Sequence, residues 1–294
     1  MDIRVLQYFL AVAREQSITR AAEALRMTQP PLSRQLKDLE DELGKQLLIR
    51  GSKKVTLTED GMLLRKRAEE LVDLMEKTKA ELSSSHENIS GEIYIGCGET
   101  KSISFFAQAA QTLQKKHPLI HYHIYSGDAE RVMEKLDKGL IDFGLLVGPA
   151  DLGKYNHIRL PMKDLWGVLM RKDSPLADRE TITAKDLRNQ PLIVSHQTSV
   201  NHKMFSLLKL DISKLNIVTT YDLVYNAAQF ARKGLGYVIA LDGIINTTGD
   251  SDLCFRPLSP ALEADLCIIW KKYQVLSKAS DIFLKQLQQE TEHL

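Results

Sequence analysis

The sequence predicts an α/β protein in two parts: a winged helix-turn-helix domain rich in α-helix at the N-terminus and a bilobed α/β domain behind it. Two observations carry this prediction. Residues 17–44 have the pattern of two short helices joined by a tight turn, and a hairpin pattern follows them. From Gly91 onward, short apolar runs alternate with helical patterns, which is typical of parallel sheets covered by helices. The length of 294 residues fits two or three domains.

Composition narrows the class of protein. The apolar fraction of 44% is ample for large cores, and the net charge of +1 excludes a polycation. No apolar run approaches the ~18 residues that a membrane span needs, and the N-terminus has no apolar signal core. The three cysteines have no CxxC spacing, which suits a reducing compartment. We therefore expect a soluble cytoplasmic protein without a membrane partner.

The first two helices are predicted from apolar spacing and small residues. Apolar side chains recur at helical spacing from Val5 to Ala13 and indicate a helix of about three turns. A second helix starts near Ser17 or Thr19, and its two consecutive alanines allow another helix to cross closely.

The next helix has one apolar and one polar face. Leucines spaced by four and three residues, from Leu32 to Leu43, form the apolar face. Thr28 is expected to cap this helix, two prolines fit its first turn, and Gly44 is expected to end it. The polar face carries groups that bind base edges and phosphates. We expect base-edge and nearby phosphate contacts from Gln29, Pro30, Ser33 and Arg34, and a phosphate contact from Lys37. The alternative is a plain helical hairpin with a solvated polar face.

A β-hairpin is predicted around Gly51 and Ser52, where two short apolar runs meet. Arg50, Lys53 and Lys54 on this hairpin are expected to contact the phosphate backbone or a minor groove. The alternative is a solvated hairpin with ordinary surface lysines. Residues 1–58 hold ten lysines and arginines against seven acids, so a basic patch must come from the arrangement of the charges.

A long helix follows, capped by Thr58 and begun by two acids that suit its positive end. Six side chains follow the spacing of a coiled-coil seam: Leu64, Ala68, Leu71, Met75, Thr78 and Leu82. One narrow stripe cannot bury itself, so we expect pairing with the same helix of a second chain. The alternative is packing on the chain's own C-terminal domain. The polar run 83–88 has the composition of a hinge.

Residues 1–90 resemble the LysR-type transcriptional regulators. The resemblance rests on AVAREQSITRAAEALRMTQPPLSRQLKDLEDELGKQLLIR and VTLTEDG, and on the order of helix-turn-helix, wing and long helix. Leu48 stands where the family usually has Phe, Lys53 and Lys54 where Arg is common, and Asp60 where Ala is usual. Softer signals extend the resemblance to the family's regulatory domain, which is bilobed and periplasmic-binding-protein-like: GEIYIG, KKHP, LIDFGLL and GLGYVIAL.

The resemblance implies a ligand-responsive transcriptional regulator. Its expected partners are double-stranded DNA of an operator or promoter, a small-molecule effector, a second chain in a homodimer that assembles into a homotetramer, and RNA polymerase. The expected domains are 1–58, the winged helix-turn-helix; 59–90, the linker helix and hinge; 91–161 with 267–294, lobe 1; and 162–266, lobe 2. The predicted strands are 92–96, 120–125, 141–147, 166–170, 192–195, 216–220, 237–241 and 266–270. The predicted helices of this part are 102–117, 129–138, 201–210, 223–233 and 275–289.

An effector is expected at the carboxyl ends of the strands, in the cleft between the lobes. The segment 96–102 opens a helix, and its N–H groups and hydroxyls are suited to a carboxylate or another anion. By resemblance, Thr100 matches a position that contacts inducers in the family. The predicted effector contacts are Thr100, Ser102, Ser126, Asp128, Ser195, Gln197 and Asp222. The alternative for each is ordinary capping of a loop.

No motif predicts an enzyme, a cofactor or a metal. GxSxG, Walker and HExxH patterns are absent, and His121 and His123 have no visible third ligand. Cys97 lies at a strand end before a helix, where a thiol can be reactive, but it has no evident resolving partner. Two alternative functions stay open. One is a small-molecule-binding protein or enzyme whose N-terminal module only assembles dimers, and the other is a constitutive or redox-responsive regulator without a metabolite effector.

Overall fold

The structure, a computed structural model, describes residues 1–51, 54–83, 89–197 and 203–292. They form two compact units, residues 1–83 and 84–294, which are described separately below. Lys53 and most of the predicted hinge, 84–88, lie outside the described residues. Within the described ranges, no helix is both long enough and apolar enough to cross a membrane.

The described residues of the N-terminal unit form four helices and a two-stranded antiparallel sheet. Its elements are α1 (Ile3–Glu15), α2 (Ile18–Ala24), α3 (Gln29–Leu43), β1 (Leu48–Arg50), β2 (Val55–Leu57) and α4 (Glu59–Ser83). The hydroxyl of Ser17 caps α2 by accepting the N–H of Arg20, and Thr58 caps α4 by accepting the N–H of Gly61. Gly44 ends α3 in the left-handed region with φ 62°, which favours glycine. The predicted helix-turn-helix and wing are therefore confirmed.

Thr28 occupies the cap position of α3, but the prediction that its side chain caps the helix is wrong. Its hydroxyl makes no cap hydrogen bond. A cap side chain accepts the N–H of the second or third helical residue, and these residues are Pro30 and Pro31. Proline has no N–H, so the two prolines remove the donors that Thr28 would need.

The apolar seam of α4 divides into two halves. Near its start, α4 packs against α1, Leu64 contacts the core of the unit, and Ala68 is fully buried. Farther along, Leu71 is 42% exposed and Leu82 is 82% exposed. The first part of the seam therefore packs within the chain's own domain, and the second part is exposed to solvent.

The C-terminal unit alternates strands and helices. Its elements are β3 (Gly91–Cys97), α5 (Ser104–Lys116), β4 (Ile120–Ser126), α6 (Ala129–Asp137), β5 (Phe143–Val147), β6 (Tyr155–Arg171), β7 (Ile182–Thr183), α7 (Ala184–Leu187), β8 (Leu192–Ser195), α8 (Lys203–Leu207), β9 (Ile217–Tyr221), α9 (Val224–Arg232), β10 (Tyr237–Leu241), β11 (Leu253–Ser259), β12 (Glu263–Lys271) and α10 (Lys278–Glu292). Short 3-10 turns lie at Lys101–Ile103 and Ile212–Lys214.

Each lobe contains three parallel strands, as the α/β pattern predicts, and antiparallel strands extend both sets into a mixed sheet. In lobe 1, β3 pairs in parallel with β4 and β5. In lobe 2, β8 pairs in parallel with β9 and β10. The helix α10 returns to lobe 1, where the Phe283 ring lies 5.6 Å from the ring of Phe143, centroid to centroid. The predicted bilobed α/β fold class is confirmed.

One long strand joins the lobes. Residues 155–165 of β6 pair antiparallel with β12, and residues 166–169 pair antiparallel with β10. The sequence predicts only the second part of β6, and it does not predict β7, α7 or β11. The missed part contains Pro161 and several charged side chains, and β11 contains Pro257. Proline and charge both weaken a strand pattern, and only pairing with neighbouring strands establishes these two segments.

Candidate nucleic-acid interface and interlobe cleft

The outward face of α3 carries all five residues that were predicted on it. The set comprises Gln29, Pro30, Ser33, Arg34 and Lys37. Ser33 is partly buried, and the other four are exposed. The leucines of the other face, Leu32, Leu36 and Leu39, are buried in the core of the unit. Packing of the leucine face therefore fixes which side chains α3 presents to solvent.

This face carries two cations near the start of α3, Arg34 and Lys37. Within the described ranges, neither Arg34 nor Lys37 forms an ion pair. Two acids at the far end of the helix are neutralised locally. Glu42 lies 2.5 Å from the N-terminal amino group, and Glu40 lies 3.8 Å from Arg50. The start of the helix is therefore attractive to phosphate.

The wing places one predicted cation beside the helix. Arg50 Nη1 donates to Ser33 Oγ at 3.4 Å, so two predicted residues that are 17 positions apart meet. Lys54 is exposed at the turn of the hairpin, at the same end as Arg50. The DNA contacts themselves stay predictions.

Glu40 fixes the wing to α3, and the sequence analysis missed this role. Its Oε1 accepts the N–H groups of Leu47 and Leu48 at 2.7 Å and 3.0 Å. Glu40 lies one turn after the buried Leu36. A charged residue close to a buried helical face needs a hydrogen-bond partner, and this position in the sequence could have indicated the role of Glu40.

Glu40→Ala is expected to loosen the wing. Two backbone donors lose their acceptor, and leaving such a donor unsatisfied costs about 1–3 kcal/mol. In hydrogen exchange of the full chain, the amides of Leu47 and Leu48 should exchange faster by roughly tenfold or more. Glu40→Gln is the matched control, because its amide oxygen can still accept. Equal exchange in all three chains would mean that the carboxylate does not hold the wing.

Polar contacts join the two lobes at the carboxyl ends of their strands. Lys101 Nζ lies 2.5 Å from Asp242 Oδ2, and Arg131 Nη1 lies 3.8 Å from Asp222 Oδ2. A third contact crosses from Glu99, whose carboxylate accepts the N–H of Val224. These three contacts define the interlobe cleft.

Thr100 and Ser102 are buried in this cleft, with 5% and 3% of their surfaces exposed. Both hydroxyls donate to Asp164, and the bond from Ser102 measures 2.7 Å. Asp164 is fully buried on β6, next to the point where the strand passes between the lobes. The two predicted effector contacts therefore hydrogen-bond the turn after β3 to β6. Both hydroxyls already donate their protons within the chain.

The other predicted contacts lie around the rim. Asp128 caps α6 by accepting the N–H of Arg131 at 2.9 Å, which agrees with the capping alternative. Asp222 is exposed and faces the same Arg131 side chain. Ser126 ends β4, Ser195 ends β8, and Gln197 follows Ser195 by two residues. Their roles toward an effector stay predictions.

Glu99 is a cleft residue that the sequence analysis did not select. Its carboxylate comes from lobe 1, and its acceptor bond goes to the first residue of α9 in lobe 2. Burial raises the pKa of this carboxyl above its ordinary value, and the bond from Val224 only partly opposes the shift. The signal in the sequence is the acid between Gly98 and Thr100, within the segment that was expected to hold an anion.

Two family models match the chain over nearly its whole length. The model described as LysR substrate binding domain matches residues 86–292. The model described as bacterial regulatory helix-turn-helix protein, lysR family, matches residues 3–62. The chain belongs to the LysR family.

Several relatives of this LysR-family chain are regulators. It is 27% identical over 289 residues to the regulator YvbU of Bacillus subtilis, and 97% of each chain is covered. It is 34% identical to BsdA of Bacillus subtilis over 66% of this chain and 67% of BsdA. It is 31% identical to the dual regulator OxyR of Escherichia coli over 66% of this chain and 63% of OxyR.

Solved structures agree on the fold. The regulator CbnR has a TM-score of 0.76 with 17% identity, and 99% of each chain is covered. Full-length BenM has a TM-score of 0.55 with 24% identity over 100% of this chain and 97% of BenM. The expected family and the expected fold class are both confirmed.

Each cysteine of this LysR-family chain lies in a hydrophobic core. Cys97, Cys254 and Cys267 are all free and buried. Burial and the nearby charge of Glu99 raise the pKa of the Cys97 thiol, so the reactive thiolate is disfavoured.

His123 pairs with Glu92 at 2.5 Å and stacks on Tyr94. The described part of the chain contains no group of three or more metal-ligating side chains.

Glu99→Gln is expected to raise the Tm of the C-terminal unit at neutral pH and to leave it unchanged near about pH 4. The pKa of Glu99 is raised in the folded state above its ordinary value of 4.5. The stability that its neutral form contributes is therefore present below about pH 4.5 and is lost as pH rises through the folded-state pKa. Glutamine keeps the acceptor for Val224 without the charge. Thermal unfolding of both chains across this pH range is the measurement, and a pH-independent difference would contradict the burial of a charged carboxylate.

Proposed function

We propose that this LysR-family chain regulates transcription by binding operator or promoter DNA, and that a small molecule bound between its lobes alters that binding. One observation carries the first part. The face of α3 opposite the buried leucines presents Arg34 and Lys37 without ion-pair partners among the described residues, and Arg50 of the wing lies beside Ser33. This arrangement suits a helix that enters a major groove, with a wing on the backbone.

The uncovered half of the α4 seam supports a homodimer. Leu71 and Leu82 are exposed on the stripe predicted to face a second chain. A dimer presents two α3 helices to two half-sites, and pairs of dimers give a tetramer. The regulator CbnR, which has the same fold, has been solved in complex with its target DNA, and this supports DNA binding by the present chain. We further propose a cytoplasmic location, RNA polymerase as a partner, and no catalytic role.

The effector proposal rests on how the lobes are joined. The connection consists of β6, of the return from β11 to β12, and of polar contacts such as Lys101 with Asp242 and Arg131 with Asp222. These contacts are partly exposed and can break and reform at low cost. A ligand with different affinities for two lobe arrangements would shift the population between them, and this difference couples the cleft to the DNA-binding domains.

Binding to DNA that flanks the chain's own gene tests the function. We expect preference over random duplex in a gel shift, and a linear fall of log affinity with log salt, because phosphate neutralisation releases counterions. A flat salt titration, or equal binding to random competitor, would contradict the proposal. The effector is tested by a thermal-shift screen across metabolites. If no compound stabilises the chain, a constitutive regulator is favoured.

A further inference from the structure

We infer that Glu40 is a positioning residue for DNA binding. Its carboxylate holds the guanidinium of Arg50 beside the outward face of α3, where Arg50 contacts a phosphate of the DNA backbone. Glu40 itself does not touch the DNA and acts through Arg50. This inference rests on the proposed DNA-binding function and adds to it the residue that orients the cation of the wing.

One carboxylate contacts the wing at two places. Oε1 of Glu40 accepts the N–H groups of Leu47 and Leu48, and Oε2 lies 3.8 Å from Nη2 of Arg50. The side chain of Glu40 is 14% exposed, so water screens this ion pair less than a pair on the open surface. The two backbone bonds fix the position of the carboxylate, and the carboxylate in turn fixes the position of the Arg50 guanidinium.

A second contact orients the same guanidinium. Nη1 of Arg50 donates to Oγ of Ser33 at 3.4 Å. Residues 33 and 40 are separated by about two turns of α3, so both side chains lie along one line of the helix. Arg50 bridges this line at the edge of the face that carries Arg34 and Lys37. The guanidinium has further N–H donors, and these stay available for a phosphate.

The backbone beside Arg50 is anchored independently of Glu40. Arg50 pairs with Val55 in the hairpin, and the N–H of Val55 donates to the carbonyl of Gln16 at 2.9 Å. The wing is therefore attached to the end of α1 as well as to α3. Because of this second attachment, removing only the charge of Glu40 should release the Arg50 side chain while the strands stay in place.

Long-range electrostatics and positioning predict opposite effects of Glu40 on DNA binding. A carboxylate near DNA repels phosphate, so neutralising it should raise affinity. If Glu40 positions Arg50, neutralising it lowers affinity instead, because a released arginine loses side-chain freedom when it binds. The sign of the change in affinity therefore separates the two roles.

Glu40→Gln tests the inference, with Asp41→Asn as the matched control. Glutamine keeps the acceptor for the wing and removes the charge that holds Arg50. Fluorescence anisotropy measures binding of the full chain to a random duplex at low salt and to the duplex that flanks its own gene. A phosphate contact is common to both, so Glu40→Gln should weaken both affinities by about 3- to 10-fold. Asp41 is exposed and does not pair with Arg50 in the described ranges, so Asp41→Asn should bind as tightly as the wild type or slightly more tightly.

A double substitution shows whether Glu40 acts through Arg50. Arg50→Ala should weaken binding by about tenfold or more and should lower the slope of log affinity against log salt by about 0.9, the contribution of one phosphate. Adding Glu40→Gln to Arg50→Ala should cause no further loss, because the side chain that it positions is gone. If Glu40 were important only for the fold of the wing, its substitution would weaken binding equally in both chains.

Hydrogen exchange keeps the result interpretable. Unchanged exchange of the Leu47 and Leu48 amides in Glu40→Gln shows that the hairpin is intact. If the wing of this variant is loosened, Ser33→Ala replaces it, because it removes the other contact of Arg50 without touching the backbone bonds of the wing. Part of its loss of affinity should then disappear in the Arg50→Ala chain.

Two outcomes would overturn the inference. One is a Glu40→Gln chain that binds duplex as tightly as the wild type or more tightly, and the other is a loss that is equal with and without Arg50. Failure of the proposed function is separate. A wild-type chain without preference for the gene-flanking duplex would contradict that function, whereas the random duplex would still decide the role of Glu40. A wild-type chain that binds no duplex would overturn both.

Discussion

Leu71→Asp is expected to separate the dimer and to lower operator affinity by about 100-fold or more. Leu71 is exposed on the α4 seam, beyond the part that packs on the chain's own domain. In a dimer, the substitution places two unpaired carboxylates in an apolar contact, and burying them costs more than the contact returns. Each chain would then hold one DNA-binding domain, and the gain from binding two half-sites as one molecule would be lost.

Sedimentation at micromolar concentration and a gel shift with operator DNA measure the two effects. Lys66→Asp is the control, because it introduces the same carboxylate on the side of α4 opposite the seam. This control should stay dimeric. A Leu71→Asp chain that sediments as the wild type would place the dimer contact elsewhere and remove α4 from the interface.

Arg34→Ala is expected to lower the affinity for operator DNA by about 1–3 kcal/mol and to relax sequence preference at one base position. Arg34 is exposed on the outward face of α3 and makes no ion pair within the described ranges, so its guanidinium is free for a bidentate contact. Removal leaves the leucine core of the domain untouched, so circular dichroism should be unchanged.

Fluorescence anisotropy with operator and single-base variants of it measures this effect. Gln35→Ala is the matched control, since Gln35 is exposed on the same helix but on the side away from Ser33 and Lys37. Loss of affinity that is uniform across all operator variants would assign Arg34 to phosphate instead of a base. Unchanged affinity would remove it from the interface.

Local patterns account for what the sequence predicted correctly. The leucine stripe of α3 identifies its buried face, and therefore the outward position of Arg34, because side-chain direction follows from helix periodicity alone. Gly44 ends the same helix because glycine adopts positive φ without steric cost. The cap predicted at Thr28 failed, since capping depends on the N–H groups of the next residues and two of those are prolines.

The position of the cleft could be predicted from the sequence, but the hydrogen bonds within it could not. Strand ends of parallel sheets meet at one edge, so the segments after β3, β4, β8 and β9 were expected near one another. Which hydroxyls stay free there is not a local property. Ser102 is 62 residues from Asp164 in the sequence, yet their bond engages a predicted effector contact inside the chain.

The sequence by itself determined the family, the helix predicted to enter the major groove, the wing and the alternation of strands and helices, because each of these follows from side chains a few residues apart. Only the tertiary structure decided that Glu40 holds the wing, that half of the α4 seam packs within its own domain, and that Glu99 reaches Val224 across 125 residues. Such contacts depend on where distant segments come together in space, and a carboxylate has the same local signature whether it faces water or the N–H groups of another element.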